Sequence, residues 1–510
     1  MHDQRAADRA EGVDVADIVA AQSHGALLPQ VAETHTGLVL LIGEFAYKVK
    51  KPVTTDFLDF STPDSRERAC AHEVTLNRRL APASYLGVGH FESPQGGAPE
   101  PVIVMRRHPD ERRLATMVRR GADVTADLAA IAGILADFHR TAHRGPEVDN
   151  EARPAAVTAR WQESLTELTR YAGGVVAGLD PAAVAETQRR AISFAAGRQD
   201  LFNRRIAARR IVDGHADLLA DDIFCLSDGP ALLDCLEFDD RLRYVDVIDD
   251  AAFLAMDLEF LGRPDLGDYF RGRYRALSGD DAPESLWHFY IAYRAVVRAK
   301  VDCLRYTQGH PEAAADAQRH LDLAGAHLRA ATVRLIMVGG GPGTGKSTLA
   351  RALAEELGAV VVSTDDVRVA LASRGDICGE PGVLGEGLYT PEHIDAVYTA
   401  VLGEAGQALR DGRTVILDGT WSDPHHRARA RAVAADAEAV MVELCCAATL
   451  DASIGRIRTR TDTTSQVTPQ IATALAGRDH GTWPEAHRVD TTRPPAEAIA
   501  EARDICRTTS

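Results

Sequence analysis

The chain has 510 residues, of which 45% are hydrophobic and 26% charged, and its formal net charge is −17. A single core stops growing at about 250–300 residues, so two or more domains are expected. No apolar run reaches the roughly 20 residues that span a bilayer, and the acidic balance argues against an extended nucleic-acid interface, which needs clustered cations. The eight cysteines form no CxxC pair, which fits buried, reduced thiols in a cytoplasmic protein.

In chain order, Met1 to Gly12 is polar with no apolar segment behind it, and residues 1–15 read as a loose tail rather than a secretory signal. Leu38–Ile42 and Phe45–Val49, joined at Gly43–Glu44, read as a β-hairpin. Pro63–Leu80 reads as a helix carrying Glu73, and Pro101–Met105 as a short strand. Helical patterns follow over about Val124–Thr141 and Pro181–Gly197. From Ile211 to Asp239 turn residues alternate with two short apolar runs, and Ala251–Leu261, Ser285–Tyr306 and Pro311–Ala330 read as helices. At Val333 the texture changes. Strands are expected at Leu335–Val338, Val360–Val362, Thr414–Leu417 and Ala439–Cys446, with a helix at Ser347–Leu357. This alternation predicts a parallel, doubly wound sheet and a boundary near Ala331.

Gly340, Gly345, Lys346 and Ser347 satisfy GxxxxGK[ST]. Together with Gly341, Gly343, Thr344 and Thr348 they predict a nucleotide cradle whose backbone N–H groups point at phosphates. Lys346 would reach the β- and γ-phosphates of ATP, and the Ser347 hydroxyl would ligate Mg²⁺. A strand leads in and a helix N-terminus, favourable for anions, leads out. The next strand ends in Ser363-Thr-Asp-Asp-Val-Arg368. A carboxylate there can accept a hydroxyl proton; Asp365 and Asp366 are both candidates, and helix capping is the alternative employment. Arg368 suits an anionic part of substrate or product. Asp418, after the third strand, suits a Walker-B role in the Mg²⁺ shell. Arg456 and Arg460 share a helix face, placed to close over a transferring phosphate; Arg458 lies between them, and Arg427 starts a separate helix.

These residues resemble the P-loop kinase group that includes gluconate- and shikimate-kinase-like enzymes, polynucleotide 5′-kinases and zeta-toxin-type kinases. The resemblance covers about Val333 to Ser510 and rests on the strand-end Thr-Asp-Asp-x-Arg. It implies that Asp365 is the general base, Arg368 a substrate contact, and Arg456 and Arg460 parts of a lid. The loop Thr461–Pro469 departs from the group, which leaves the acceptor open.

Upstream, His215-Ala-Asp217, Asp222 and Asp234 resemble the catalytic centre of the aminoglycoside-phosphotransferase group, whose fold is that of protein kinases. The resemblance implies that Asp217 is the base and Asp234 the principal metal carboxylate. Asp222 stands as a second metal ligand where the group usually has Asn, and its added charge weighs against normal turnover. Tyr47-Lys-Val-Lys-Lys51 ends the hairpin where the group carries its ATP-phosphate lysine. Lys48 fits the register, and Lys50 lies on the same strand face. Glu73 is suited to pair with that lysine. The pair of domains resembles a bacterial family of bifunctional aminoglycoside-phosphotransferase-like and ATP-binding proteins, through Phe57-Leu-Asp-Phe60, Asn77-Arg-Arg-Leu80 and Arg294-Ala-Val-Val-Arg298 as well.

The expected architecture is an α+β protein-kinase-like domain over residues 16–330, followed by an α/β P-loop NTPase domain with a mostly parallel sheet over 331–510. The first divides into a small lobe of about 31–108 and a large lobe of about 109–330. The expected activity is transfer of a γ-phosphoryl group from ATP, with Mg²⁺, to a hydroxyl of a small molecule, the C-terminal site being the more intact catalyst. The rival is a regulatory ATP-binding protein whose N-terminal half is a ligand-sensing pseudokinase.

Overall fold

The computed structural model describes residues 30–33, 37–53, 60–92, 96, 98–380, 385–459, 468–476 and 483–509. The expected tail, Phe57 to Asp59, Arg460 and the loop 461–467 lie outside them. An antiparallel sheet opens the described chain, from β1 (Gln30–Glu33), β2 (Gly37–Ile42), β3 (Phe45–Lys50), β4 (Tyr85–Phe91) and β5 (Glu100–Arg106), in the order β1-β2-β3-β5-β4. The β2–β3 hairpin forms where the sequence places it. Ile42 pairs with Phe45, and Gly43 takes the positive φ of 58° that so short a turn requires. Strand β4 escapes the sequence pattern because Gly87 and Gly89 interrupt its apolar alternation. Helix α1 (Pro63–Asn77) starts at a capping box in which Thr62 and Ser65 satisfy each other's backbone N–H, and it packs on β4 and β5.

A helical body follows, with α2 (Thr125–Thr141), α3 (Pro154–Ala172), α4 (Pro181–Gly197), α5 (Gln199–Ala207), α6 (Val247–Phe260), α7 (Glu284–Thr307) and α8 (Ala313–Ala330). Two small antiparallel ladders sit on it: β6 (Ile211–Asp213) with β9 (Tyr244–Asp246), and β7 (Ile223–Leu226) with β8 (Gly229–Leu232). Helix α3 lies outside the sequence reading, although Val157, Trp161, Leu165 and Leu168 give it an i, i+4, i+8, i+11 apolar stripe, all buried.

The second sheet is wholly parallel. Its strands β10 (Arg334–Gly339), β11 (Val360–Ser363), β12 (Val415–Asp418), β13 (Val440–Ala447) and β14 (His487–Asp490) run in the order β11-β12-β10-β13-β14. The β10 residues Leu335 to Val338 are fully buried, as expected of a strand covered on both faces. Helices α9 (Lys346–Leu357), α10 (Thr364–Arg374), α11 (Pro391–Arg410), α12 (Pro424–Asp436) and α13 (Leu450–Thr459) flank the sheet. Strand β14 was not legible in sequence, since Val489 is its one apolar residue. The whole is an α+β protein-kinase-like arrangement followed by an α/β P-loop NTPase sheet. Among the described residues no helix is long and apolar enough to cross a membrane.

Helix α8 ends three residues before β10, and Ala331 and Val333 between them are buried. Further contacts gather at the N-terminal ends of β12 and β13, away from the P-loop. The Arg198 guanidinium, buried between α4 and α5, donates to the Gly197 and Ala437 carbonyls. Burial lowers its pKa to about 10. Arg204 pairs with Asp411, Arg410 with Asp200, and the Ser285 hydroxyl donates to Gly412 O at 2.6 Å. At Gly197 an added Cβ would run into the Ala437 carbonyl. Overpacking of such a site costs about 1–3 kcal/mol, so Gly197→Val is expected to lower the denaturant midpoint of the full chain; an unchanged midpoint would show that this contact does not bear on stability.

Candidate active sites

The P-loop leaves the end of β10 with φ of 139° at Gly340, 74° at Gly343 and 87° at Gly345, a region that glycine alone enters cheaply. Space enforces the same choice. A Cβ on Gly340 would lie 2.7 Å from the Cys446 carbonyl oxygen, and one on Gly343 would lie 2.5 Å from that of Ser453. The loop is thus wedged between the end of β13 and α13. The Thr344 hydroxyl donates to Gly341 O at 2.8 Å and tightens the turn. Lys346 and Ser347 open α9, with Thr348 exposed behind them. Asp418, at the end of β12, is buried, yet its Oδ1 has no hydrogen-bond partner. Burial raises its pKa, against the charge of Lys346 and a hydrogen bond from Ser347. A buried carboxylate oxygen without a donor, next to a serine hydroxyl, is a donor set that fits Mg²⁺.

The alternative use of the strand-end acids is settled by Ser363. Its Oγ caps α10, accepting from the backbone N–H of Asp365 at 3.2 Å and of Asp366 at 3.5 Å. Neither carboxylate is needed for capping. Asp366 is exposed, whereas Asp365 is half-buried and accepts from Arg368 Nη1 at 2.7 Å. The Arg368 guanidinium lies 4.5 Å from the Tyr389 ring centroid. Asp365 is close enough to Asp418 for their charges to repel, and Asp418 itself lies beside Lys346 and Ser347. Arg456 sits across the loop. Its Nη2 donates to Thr491 O at 2.5 Å, and its Nη1 to Gly343 O at 3.4 Å, so it braces the P-loop backbone. Its expected companion Arg460 lies outside the described residues. Arg427 is buried under the Trp483 ring, 5.1 Å from the centroid, and donates to Trp421 O. Thr491, Tyr389 and Trp483 were missed in sequence, since single residues between unrelated elements carry no periodic signal.

In the N-terminal half, strand β3 brings Lys48 Nζ to 2.8 Å from Glu73 Oε1 and 2.7 Å from Asp234 Oδ1. Lys50 Nζ lies 2.5 Å from Glu73 Oε2 and 2.5 Å from Glu237 Oε1. The two lysines, indistinguishable by alternation, are separated by partner: Lys48 is the one paired with Asp234. Burial works against the Lys48 charge, but Asp234 and Glu73 outweigh it and raise its pKa well above the usual value. Asp234 shows the converse. Burial pushes its pKa up, and Lys48 pulls it below the usual range. Burial also pushes Asp217 up to about 6, with Arg298 opposing and Asp234 assisting. Asp222 is raised well above its usual value by burial and by the charges of Asp234 and Asp217. Asp217, Asp222 and Asp234 are therefore mutually repelling carboxylates, although among the described residues no three His, Cys, Asp or Glu side chains gather closely enough to hold a metal ion.

The turn carrying Asp217 is held from beneath. Asp250 on α6, fully buried, accepts from the backbone N–H of His215 at 2.8 Å and of Ala216 at 2.7 Å, and meets His139 Nε2 at 2.9 Å. Ala216 is thereby kept at φ 66°. His215 Nε2 reaches Leu233 O at 3.0 Å, tying the turn to the residue before Asp234. Sequence reasoning passed over Asp250; its signal was a pair of adjacent acids in the first turn of a largely apolar helix. Leaving buried donors without their charged acceptor costs about 1–3 kcal/mol, and Asp250→Asn is expected to lose that much in chemical denaturation at neutral pH. The sign with pH follows from the depressed Asp250 pKa. Its contribution is present above the unfolded value of about 4 and lost as pH falls below it. The gap between wild type and Asp250→Asn should therefore narrow in acid, and a gap independent of pH would contradict this account.

Residues 335–478 match the family model described as an AAA domain. A sugar kinase from Janibacter sp. HTCC2649 is 18% identical, with 35% of this chain and 98% of that one covered and a TM-score of 0.27. A choline/ethanolamine kinase family protein from Mesorhizobium loti is 14% identical, with 61% and 99% covered and a TM-score of 0.36. The uncharacterized protein Rv2004c of Mycobacterium tuberculosis is 55% identical over 477 residues, 94% of this chain and 95% of that protein. With identity of that extent along nearly the whole of both chains, the chain belongs to the family of Rv2004c.

Proposed function

We propose that the chain is a cytoplasmic, ATP-dependent phosphotransferase acting on a hydroxyl of a small molecule. Residues 16–330 and 331–510 form its two nucleotide-binding domains, and the P-loop site is the more complete catalyst. The observation that carries this reading is the unpartnered buried Oδ1 of Asp418 beside Ser347 and Lys346, under a loop whose glycines let it pack against Cys446 and Ser453. Asp418 and Ser347 would hold Mg²⁺, which when bound supplies positive charge to the phosphates. Lys346 and the loop N–H groups bind the β- and γ-phosphates of ATP. Asp365 takes the proton of the acceptor hydroxyl as that oxygen forms its bond to the γ-phosphorus. The bond from the γ-phosphorus to the bridging oxygen breaks, and ADP leaves. Arg368 orients Asp365 through their 2.7 Å hydrogen bond and suits an anionic part of the acceptor. Arg456 keeps Gly343 in place.

Two substitutions in the full chain test this. Lys346→Ala is expected to abolish most turnover of labelled ATP with an acceptor drawn from a metabolite extract. Asp365→Asn is expected to slow transfer by about 10²–10⁴-fold while calorimetry finds ATP affinity nearly intact. Normal turnover in the second variant would pass the role of base to Asp366.

A second reading, in which the N-terminal half is a ligand-sensing pseudokinase gating the other, is favoured by Asp222. Asp222 and Asp234 together neutralise more of a metal's charge than Asn and Asp would, leaving less for the phosphates. On this reading Asp222→Asn, made in the Lys346→Ala background, does not reduce residual transfer. A large loss would show Asp222 to be a working ligand.

A further inference from the structure

Helix α7 crosses the body directly behind the Asp217 turn and presents two arginines one turn apart, Arg294 and Arg298, on one face. Arg294 is buried. Its Nη1 donates to the carbonyl of Ala216, the neighbour of Asp217, at 3.0 Å, and its Nε to Asp249 Oδ1 at 2.7 Å. Its Nη2 is buried without a hydrogen-bond partner. Arg298 is half-buried, and among the described residues it makes neither a hydrogen bond nor an ion pair. Of the charged groups around Asp217, Arg298 nevertheless acts on it most strongly, and it also acts on Asp257. The two guanidinium groups thus favour the charged form of the candidate base, while Asp234 and Glu237 act on it in the reverse sense.

A buried guanidinium N–H left without an acceptor, as at Arg294 Nη2, is costly. The guanidinium's planar fork matches a carboxylate or phosphate with two parallel hydrogen bonds. The nearby acids do not supply that partner: Asp249 is paired with Arg294, and Asp257 accepts from the Ala220 N–H at 2.8 Å. A cationic amine would meet like charge at this wall, whereas an anion would meet two unspent donors.

We infer that Arg298, backed by Arg294, forms an anion subsite beside Asp217, so that the N-terminal cleft takes a hydroxyl compound bearing a carboxylate or phosphate group and rejects polyamines. The inference rests on the reading of this cleft as a phosphoryl-transfer site. Asp217 would orient the acceptor hydroxyl, and the subsite would grip the acceptor's own charge, fixing which hydroxyl faces the γ-phosphate. Arg298 is here a specificity residue for the acceptor.

The test uses the full chain carrying Lys346→Ala, which weakens the P-loop as a competing phosphate site. Calorimetry first measures Mg·AMPPNP binding with and without Lys48→Ala. The chain saturated with Mg·AMPPNP is then titrated with inorganic phosphate and, separately, with kanamycin. Phosphate is expected to bind, kanamycin is not, and Arg298→Gln is expected to weaken phosphate tenfold or more with Mg·AMPPNP affinity unchanged within twofold. Arg298→Lys, which keeps the charge, is expected to stay within severalfold of the parent. Equal phosphate affinity in the parent and Arg298→Gln chains overturns the subsite, as does tighter binding of kanamycin than of phosphate. Loss of Mg·AMPPNP binding in Arg298→Gln with phosphate unaffected overturns it too, by assigning Arg298 to the nucleotide. Mg·AMPPNP binding that ignores Lys48→Ala would instead refute the underlying reading of the cleft, a result separable from the others.

Discussion

The N-terminal centre depends on one buried carboxylate. Asp250 has no access to water, so it must be satisfied by protein donors, and the donors it finds are the backbone of His215 and Ala216 and the ring of His139. That demand fixes a turn which a non-glycine residue would otherwise avoid, with Ala216 at positive φ. Once the turn is fixed, the Ala216 carbonyl is offered to Arg294, and His215 ties the turn to the chain before Asp234. The lysine pair closes the arrangement from the other lobe: Lys48 joins Glu73 of α1 to Asp234, and Lys50 joins Glu73 to Glu237. Burial of these groups is tolerable because each charge meets an opposite one.

The P-loop half rests on a different constraint, close approach of backbone to backbone. Strand β10 lies between β12 and β13, and the loop that leaves it passes against Cys446 and Ser453 with no room for a side chain at Gly340 or Gly343. Arg456 and Thr491 then brace the loop from the β14 side. The body of the N-terminal half meets this sheet at the opposite strand ends, through Arg198, Arg204 and Ser285. Helix α11 spans the distance. Its Tyr398 hydroxyl lies 3.2 Å from Thr420 Oγ1, near the P-loop, and its last residue Arg410 pairs with Asp200 at the interface. The P-loop region is thereby joined through packed secondary structure to the interface with the N-terminal half.

What the sequence determined by itself was the local chemistry. GxxxxGK[ST] between a strand and a helix, Ser363 to Arg368 at a strand end, Asp418 after an apolar run, and the order Lys48, Glu73, Asp217, Asp222, Asp234 were all legible, because each depends on neighbours a few residues apart or on order along the chain. The hairpin and the core strands were legible for the same reason. Tertiary structure alone decided the matters that depend on residues distant in sequence. It separated Lys48 from Lys50 by which carboxylate each reaches, 186 and 187 residues away. It gave the cap of α10 to Ser363, turned Arg456 toward the loop backbone, and placed Asp250 beneath the catalytic-type turn. It revealed β4, whose glycines hide its alternation, and β14, whose single apolar residue is too little to signal a strand. Arg298 shows the difference most plainly. In sequence it is one end of Arg294-Ala-Val-Val-Arg298 on a helix; folding half-buries it, leaves it without a hydrogen bond or ion pair among the described residues and brings its charge to bear on Asp217, and only long-range packing can do that.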